Sequence, residues 1–355
     1  MRRTHSAARF LLSAALMVTT AGIAAPTATA TAAEAESCTW TRTALRMPAG
    51  ALAGSVTAAD GEGGYAGALS YGAHSEKNGA AVWKNGEFTA YANLNDPDFQ
   101  NRVAVHGLND AGTVVGDVHR QATGFPAAVH SRNHGMERLP ELPGAYASRA
   151  EGINDHGDVV GGVAIDDEDG NRWHPVLWPA DKPGTVVALT GLPTGTDAIA
   201  TGIDQDGTVL VSVGNGFGED TPYLWKDGEA RALPVPDRTR DVVTRGMSNG
   251  RVVADVTSYE GPPRSVLWDR DGEPRVVSRN ADIRGINRDG QIVGRTDDPS
   301  WREQGVWRLT ALDATLKWEP DRGLQLLVSS DDGTIAGRSW AIPGGRDEPT
   351  VWACR

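Results

Sequence analysis

Short apolar runs closed by polar, glycine-bearing tips recur along most of this chain. The clearest copies are GLNDAGTVVGD from Gly107, GINDHGDVVGG from Gly152 and GINRDGQIVGR from Gly285. GIDQDGTVLVS from Gly202 and GMSNGRVVADV from Gly246 are weaker, and AADGEGGYAGA from Ala58 and SSDDGTIAGRS from Ser329 are degenerate. Their shared turn glycine falls at Gly63, Gly112, Gly157, Gly207, Gly250, Gly290 and Gly333, at intervals of 40 to 50 residues. A second apolar run follows each tip after 17 to 21 residues: AAVW to Trp83, PVLW to Trp178, PYLW to Trp225, SVLW to Trp268, QGVW to Trp307 and PTVW to Trp352. Only the second copy departs, with AAVH ending at His130.

Each unit reads as four strands. In the third, SRAEGIND is strand A, DVVGGVA strand B, HPVLW strand C and VVALTGLP strand D, with a tight turn at His156-Gly157 between A and B. Asn, Asp and Gly tolerate the positive φ that such hairpin tips need. Four strands in roughly 45 residues is the size of a propeller blade. The pattern therefore predicts an all-β, seven-bladed β-propeller with four antiparallel strands per blade. The Trp or His that closes strand C reads as a wedge between blades. The sixth unit is longer between strands C and D (RLTALDATLKWEPDRG) and reads as an extended hairpin. The seventh unit stops after strand C, whereas CTWTRTALRMP from Cys38 looks like an orphan strand D. A strand from about Trp40 to Met47 is thus expected to complete the last blade, which places Cys38 beside Cys354 and predicts a disulfide between them.

The alternation of G-I-N-x-x-G-x-V-V-G with x-A-x-L-W and a following L-x-x-L-P resembles the HAF family of extracellular repeats. The resemblance covers nearly all of the chain after its first 33 residues. It implies export and a propeller-like fold, and no reaction.

The N-terminus changes the picture of where the fold begins. Arg2, Arg3 and Arg9 precede the apolar stretch Phe10 to Ala25, and the small-residue tract that follows offers cleavage near residues 33–35. Residues 1–33 read as a secretory signal peptide and residues 36–355 as a single propeller domain. Removing them leaves 322 residues and, with three arginines and no acids lost, takes the net charge from −12 to −15. That balance argues against nucleic acid or an anionic membrane surface as partner. No later stretch is long and apolar enough to span a membrane. The expected molecule is a secreted, extracellular monomer.

Candidate chemistry lies in the B–C and D–A loops, which differ in every blade, whereas the A–B and C–D turns are short and alike. Trp173, Trp301 and Trp340 fall in the variable set, with Asp166 and Asp169 nearby, and an exposed Trp beside carboxylates suits a sugar. As a ligand site they should be exposed and share a rim or pocket; the alternative is local packing between blades. Asp166 to Gly170 is the best calcium candidate by its alternate acids, although it lacks the distal Glu of a full oxygen-ligand loop. His106, His119, His130 and His134 have no metal-ligand spacing. There is no G-x-S-x-G elbow and no P-loop. The reading is a non-enzymatic module whose variable face engages an extracellular glycan or protein. The alternatives are a propeller glycosidase or lyase using carboxylates at the channel mouth, and a purely structural scaffold.

Overall fold

The computed structural model describes residues 38–72, 78–91, 99–132, 135–167, 170–214, 220–279 and 282–355. The signal segment expected at 1–33 lies outside them, as do Glu168, Asp169 and His134. The described residues form strands and turns without a helix. The strands assemble into seven four-stranded antiparallel sheets. Six are continuous in sequence, over residues 53–91, 99–138, 145–188, 197–232, 239–279 and 282–317, and are numbered blades 1 to 6. The seventh combines Arg322–Ser329, Ile335–Ala341 and Glu348–Cys354 with Trp40–Ala44 on its outer edge. This is the predicted seven-bladed propeller, all within the compact unit Thr39–Arg355.

The N-terminal strand closes the last blade as expected. Trp40 pairs with Cys354, Arg42 with Trp352 and Ala44 with Thr350. Thr39 and Arg355 exchange both backbone hydrogen bonds, at 2.9 and 3.1 Å, beyond the end of the strand. Both cysteines are disulfide-bonded, and the chain has two. The terminal strand ends at Ala44, although the Leu45 amide still donates to the Pro349 carbonyl at 2.8 Å.

Blade packing explains the apolar pattern. A middle strand is covered on both faces, so it reads as a continuous apolar run; strand B of blade 4 (Val209–Gly214) is buried at every position. Seven apolar clusters fill the seven interfaces, as where Val82 of blade 1 packs with Val105 and Val118 of blade 2. Full burial of one such aliphatic side chain contributes about 1.5–3 kcal/mol. The strand C tryptophans add a directional bond. Trp83, Trp178, Trp225 and Trp268 donate their indole N–H to the carbonyls of Arg46, Pro140, Thr190 and Pro234 at 2.6–2.8 Å. Each acceptor directly follows a leucine at the end of the preceding blade's strand D: Leu45, Leu139, Leu189 or Leu233. The x-L-W and L-x-x-L-P halves of the repeat are thus the two sides of one blade-to-blade joint.

Two glycine positions of the repeat have separate causes. The turn glycines have φ between +73° and +89°. The glycine closing V-V-G sits against strand A: a Cβ on Gly67, Gly116 or Gly161 would lie 1.8–1.9 Å from a strand A carbonyl oxygen.

Two local expectations need correction, and a third is met. Strand D of blade 3 is only Val187–Ala188, because the Thr-Gly-Leu-Pro segment after Leu189 leaves the ladder. The long segment of blade 6 is the expected extended hairpin, a tight turn at Leu309 (φ +55°) leading into a seven-residue strand, Ala311–Lys317, paired with Glu303–Arg308. The B–C connection of blade 3 is mostly strand, since Val159–Asp167 and Gly170–Trp178 stay paired to the Asp167–Gly170 tip.

Candidate functional site

Strand A is innermost in every blade, and the seven strand A ends (Ala59, Leu108, Ile153, Ile203, Met247, Ile286 and Ser329) line one cavity of about 530 Å3 on the turn face. Polar groups at and around it bind across the ring, although Ser330 Oγ is buried there with no hydrogen-bond partner. The Asn287 carboxamide oxygen accepts from the Gln291 amide at 2.8 Å, while its nitrogen donates to the Ser330 carbonyl of blade 7 at 2.8 Å. Asn109 repeats this towards Asn154. Asp204 accepts from the Asn249 and Gly250 amides of blade 5, and Asp331 from the Arg288 amide of blade 6. Asp206, held by Lys226 Nζ at 2.8 Å and by Thr208, has its pKa lowered to about 2. The acidic tips are therefore turn and ring chemistry.

Strand A also carries a feature that sequence reasoning missed. Every strand A carries one extra residue against its strand B partner, immediately before the position of the G-I-N glycine. Such a bulge re-aims a side chain. The bulged residues are Thr57, His106, Glu151, Thr201, Arg245, Arg284 and Leu327, five residue types around a ring whose flanking residues repeat. The signal was present in the sequence as the variable residue just ahead of the motif glycine. His106 Nε2 lies 2.9 Å from Asp117 and its Nδ1 3.7 Å from Glu151 of blade 3. Burial pulls the imidazole pKa down, but the bond to Asp117 and the charges of Glu151 and Asp117 outweigh it and leave it raised.

The opposite, variable face carries the three tryptophans singled out above, and they do not converge. Each lines its own cleft between two blades. Trp173 is on strand C of blade 3, opposite Ala164, and lies half-buried over Gly162. It shares a cavity of about 340 Å3 with Arg149, Ser212, Asp197 and Asp220. The Arg149 guanidinium is 5.6 Å from the ring centre. Asp197 accepts from the Trp173 amide at 2.8 Å. Burial raises the Asp220 pKa, Asp241 and Asp197 add to it, and the Ser212 hydroxyl at 3.1 Å opposes it. Trp301 is the one in a loop, 63% exposed, with Arg295 stacked at 4.2 Å. Trp340, on strand B of blade 7, stands edge-on to Trp318 at 5.1 Å in a cleft of about 600 Å3 with Arg302, Glu319, Pro320 and Ile342. Gly323 leaves the space its indole occupies.

The remaining candidates separate. Asp166 is exposed on a hairpin arm opposite Asn171 and does not line the Trp173 cleft. Asp169 lies outside the described residues, so the Asp166–Gly170 calcium loop is described only at its two ends. Among the described residues no three of His, Cys, Asp and Glu gather as a metal site would need, and no helix is long and apolar enough to cross a membrane.

No family model matches the sequence, and no curated protein matches it. Solved structures do share the fold. A structure from work on two prolyl endopeptidases aligns with a TM-score of 0.57 at 11% identity, over 85% of this chain and 50% of that one. TolB from Acinetobacter baumannii aligns at 0.44 and 12% identity, over 84% and 66%. The extracellular domain of a one-component-system protein from B. thetaiotaomicron aligns at 0.49 and 11%, over 88% and 40%. This chain spans about half the length of the prolyl endopeptidase chain. At such identities the likeness is one of fold.

Proposed function

We propose that this chain is a secreted, HAF-type binding module that engages glycans through its variable face, at several inter-blade clefts rather than one central pocket. The observation that carries this reading is the repeated composition of three clefts. In each, an indole is paired with a guanidinium and a carboxylate lies alongside: Trp173 with Arg149 and Asp197, Trp301 with Arg295 and Asp298, and Trp318, edge-on to Trp340, with Arg302 and Glu319. An indole face covers the C–H face of a sugar ring, and an Arg–carboxylate pair supplies the donor and acceptor that hydroxyls need. The basic, then apolar N-terminus and the disulfide fit export, since disulfides persist in oxidising compartments.

The test is a glycan array on residues 36–355, followed by calorimetry with the best hit. Trp173→Ala, Trp301→Ala and Trp340→Ala are each expected to remove one class of site, lowering stoichiometry or affinity at least tenfold there. A triple variant that folds and binds glycan like wild type would overturn the assignment to these clefts.

A further inference from the structure

In the cleft between blades 3 and 4, two carboxylates stand side by side beneath the indole with no cation to hold them. Asp197, the first residue of strand A of blade 4, lies directly opposite Gly214, the last residue of strand B. Opposite residues of a strand pair point to the same face. Gly214 has no side chain to fill its place, and the Asp220 carboxyl fills it: Asp220 Oδ1 lies 1.7 Å from where a Gly214 Cβ would stand. The glycine thus seats one aspartate beside another, and both line the cavity of about 340 Å3 that Trp173 walls.

Like charges so placed repel each other. Among the described residues no Lys or Arg forms an ion pair with either aspartate. Burial raises the Asp220 pKa, and the charges that act on it, Asp241 and Asp197, raise it further. Each aspartate spends one oxygen within the protein: Asp197 Oδ1 accepts from the Trp173 amide at 2.8 Å, and Asp220 Oδ2 from the Ser212 hydroxyl at 3.1 Å. Among the described residues Asp197 Oδ2 and Asp220 Oδ1 accept no hydrogen bond. The guanidinium of the cleft is engaged elsewhere, since Arg149 stands over Trp173, and its Nε is buried with no hydrogen-bond partner. The lining therefore holds two acids to one base. Between blades 5 and 6, by contrast, Asp255 is bound by Arg245 and Asp282 by Arg284 and Arg295, while Ser300 and backbone amides hold Asp298 below the ordinary carboxyl range. Beside Trp340 a single exposed acid, Glu319, shares its cleft with Arg302.

From this geometry, and resting on the glycan reading above, we infer that the cleft between blades 3 and 4 selects sugars bearing a protonated amine, of the unacetylated hexosamine class. An ammonium set between Asp197 and Asp220 donates to both open oxygens in charge-assisted bonds and removes the repulsion between them. The sugar ring lies against Trp173, and a hydroxyl oxygen accepts from the Arg149 guanidinium. An N-acetyl group in the same place brings no charge and leaves the two carboxylates facing each other.

The experiment titrates the wild-type protein with methyl glycosides of glucosamine, galactosamine and mannosamine, and with their N-acetyl and 2-hydroxy counterparts. At least one amine is expected to bind about tenfold more tightly than both of its neutral counterparts, with a gap that narrows as salt rises. Asp220→Asn and Asp197→Asn should each shrink the gap and together close it, leaving weak binding of the neutral sugars, whereas Trp173→Ala should weaken all three forms alike. The comparison of amine with neutral sugar on wild type stands even if a variant fails to fold. Neutral sugars that bind as tightly as the amines overturn the amine selectivity and leave the glycan reading intact. An amine preference that survives in the folded double variant overturns the location. Failure of every amine, N-acetyl and neutral sugar to bind overturns both readings.

Discussion

The two faces of the ring are made from the same blades and spend their polar groups differently. On the turn face, side chains from the repeat cap their own turn and reach the next one, as Asn287 does for Gln291 and Ser330. On the variable face, the polar groups gather in clefts between blades that differ in composition from one pair to the next. A ring needs its closing contacts repeated in every blade, so residues that make them recur. A face freed from that duty can differ from blade to blade.

The largest test of this division is the staple. The Cys38–Cys354 bond closes nearly the whole chain, and a loop of that size is stabilised on the order of 4–5 kcal/mol in the loop-closure account. Cys354→Ser should lower the denaturation midpoint, and amide exchange should rise first in Trp40–Ala44 and Glu348–Cys354. Unchanged stability would mean that the strand ladder alone holds the ring closed.

A smaller effect separates the faces directly. Asn287 is 2% exposed, and truncating it leaves buried amides and a carbonyl unpaired; Asn287→Ala should cost about 2–3 kcal/mol. Trp301→Ala, on the other face, should stay within about 0.5 kcal/mol of wild type. Equal losses in thermal unfolding would erase the contrast.

The smallest effect concerns Asp220, whose carboxyl pKa burial raises. The folded chain then holds this proton more tightly than the unfolded one, so stability falls as pH climbs from the unfolded carboxyl range through the folded value. Asp220→Asn should be slightly more stable than wild type at about pH 7 and indistinguishable from it at about pH 3. A wild type that is the more stable at pH 7 would show the carboxylate to be favourably held instead.

Much of the fold was legible in the sequence because a propeller displays each rule seven times. Turn glycines, apolar runs and the Trp positions could be aligned copy against copy, and the missing strand D of the last unit had one donor, the segment after Cys38. Trp173 and Trp340 were placed in loops by composition but stand on strands, because pairing extended beyond the polar residues at the hairpin tips. The bulges escaped notice because a register offset belongs to two strands at once, and neither shows it alone.

The sequence by itself determined the strand periods, the blade number, the closing strand and the pairing of the two cysteines, since these depend on local turn chemistry and on a repeat that can be counted. Only the tertiary structure decided which side chains meet. Arg245 comes from blade 5, whereas Arg284, Arg295 and Trp301 come from two strands and a loop of blade 6. What brings them into one cleft is the packing of neighbouring blades and the bulges at Arg245 and Arg284. That geometry arises from burying whole sheets against one another, and no spacing along the chain encodes it.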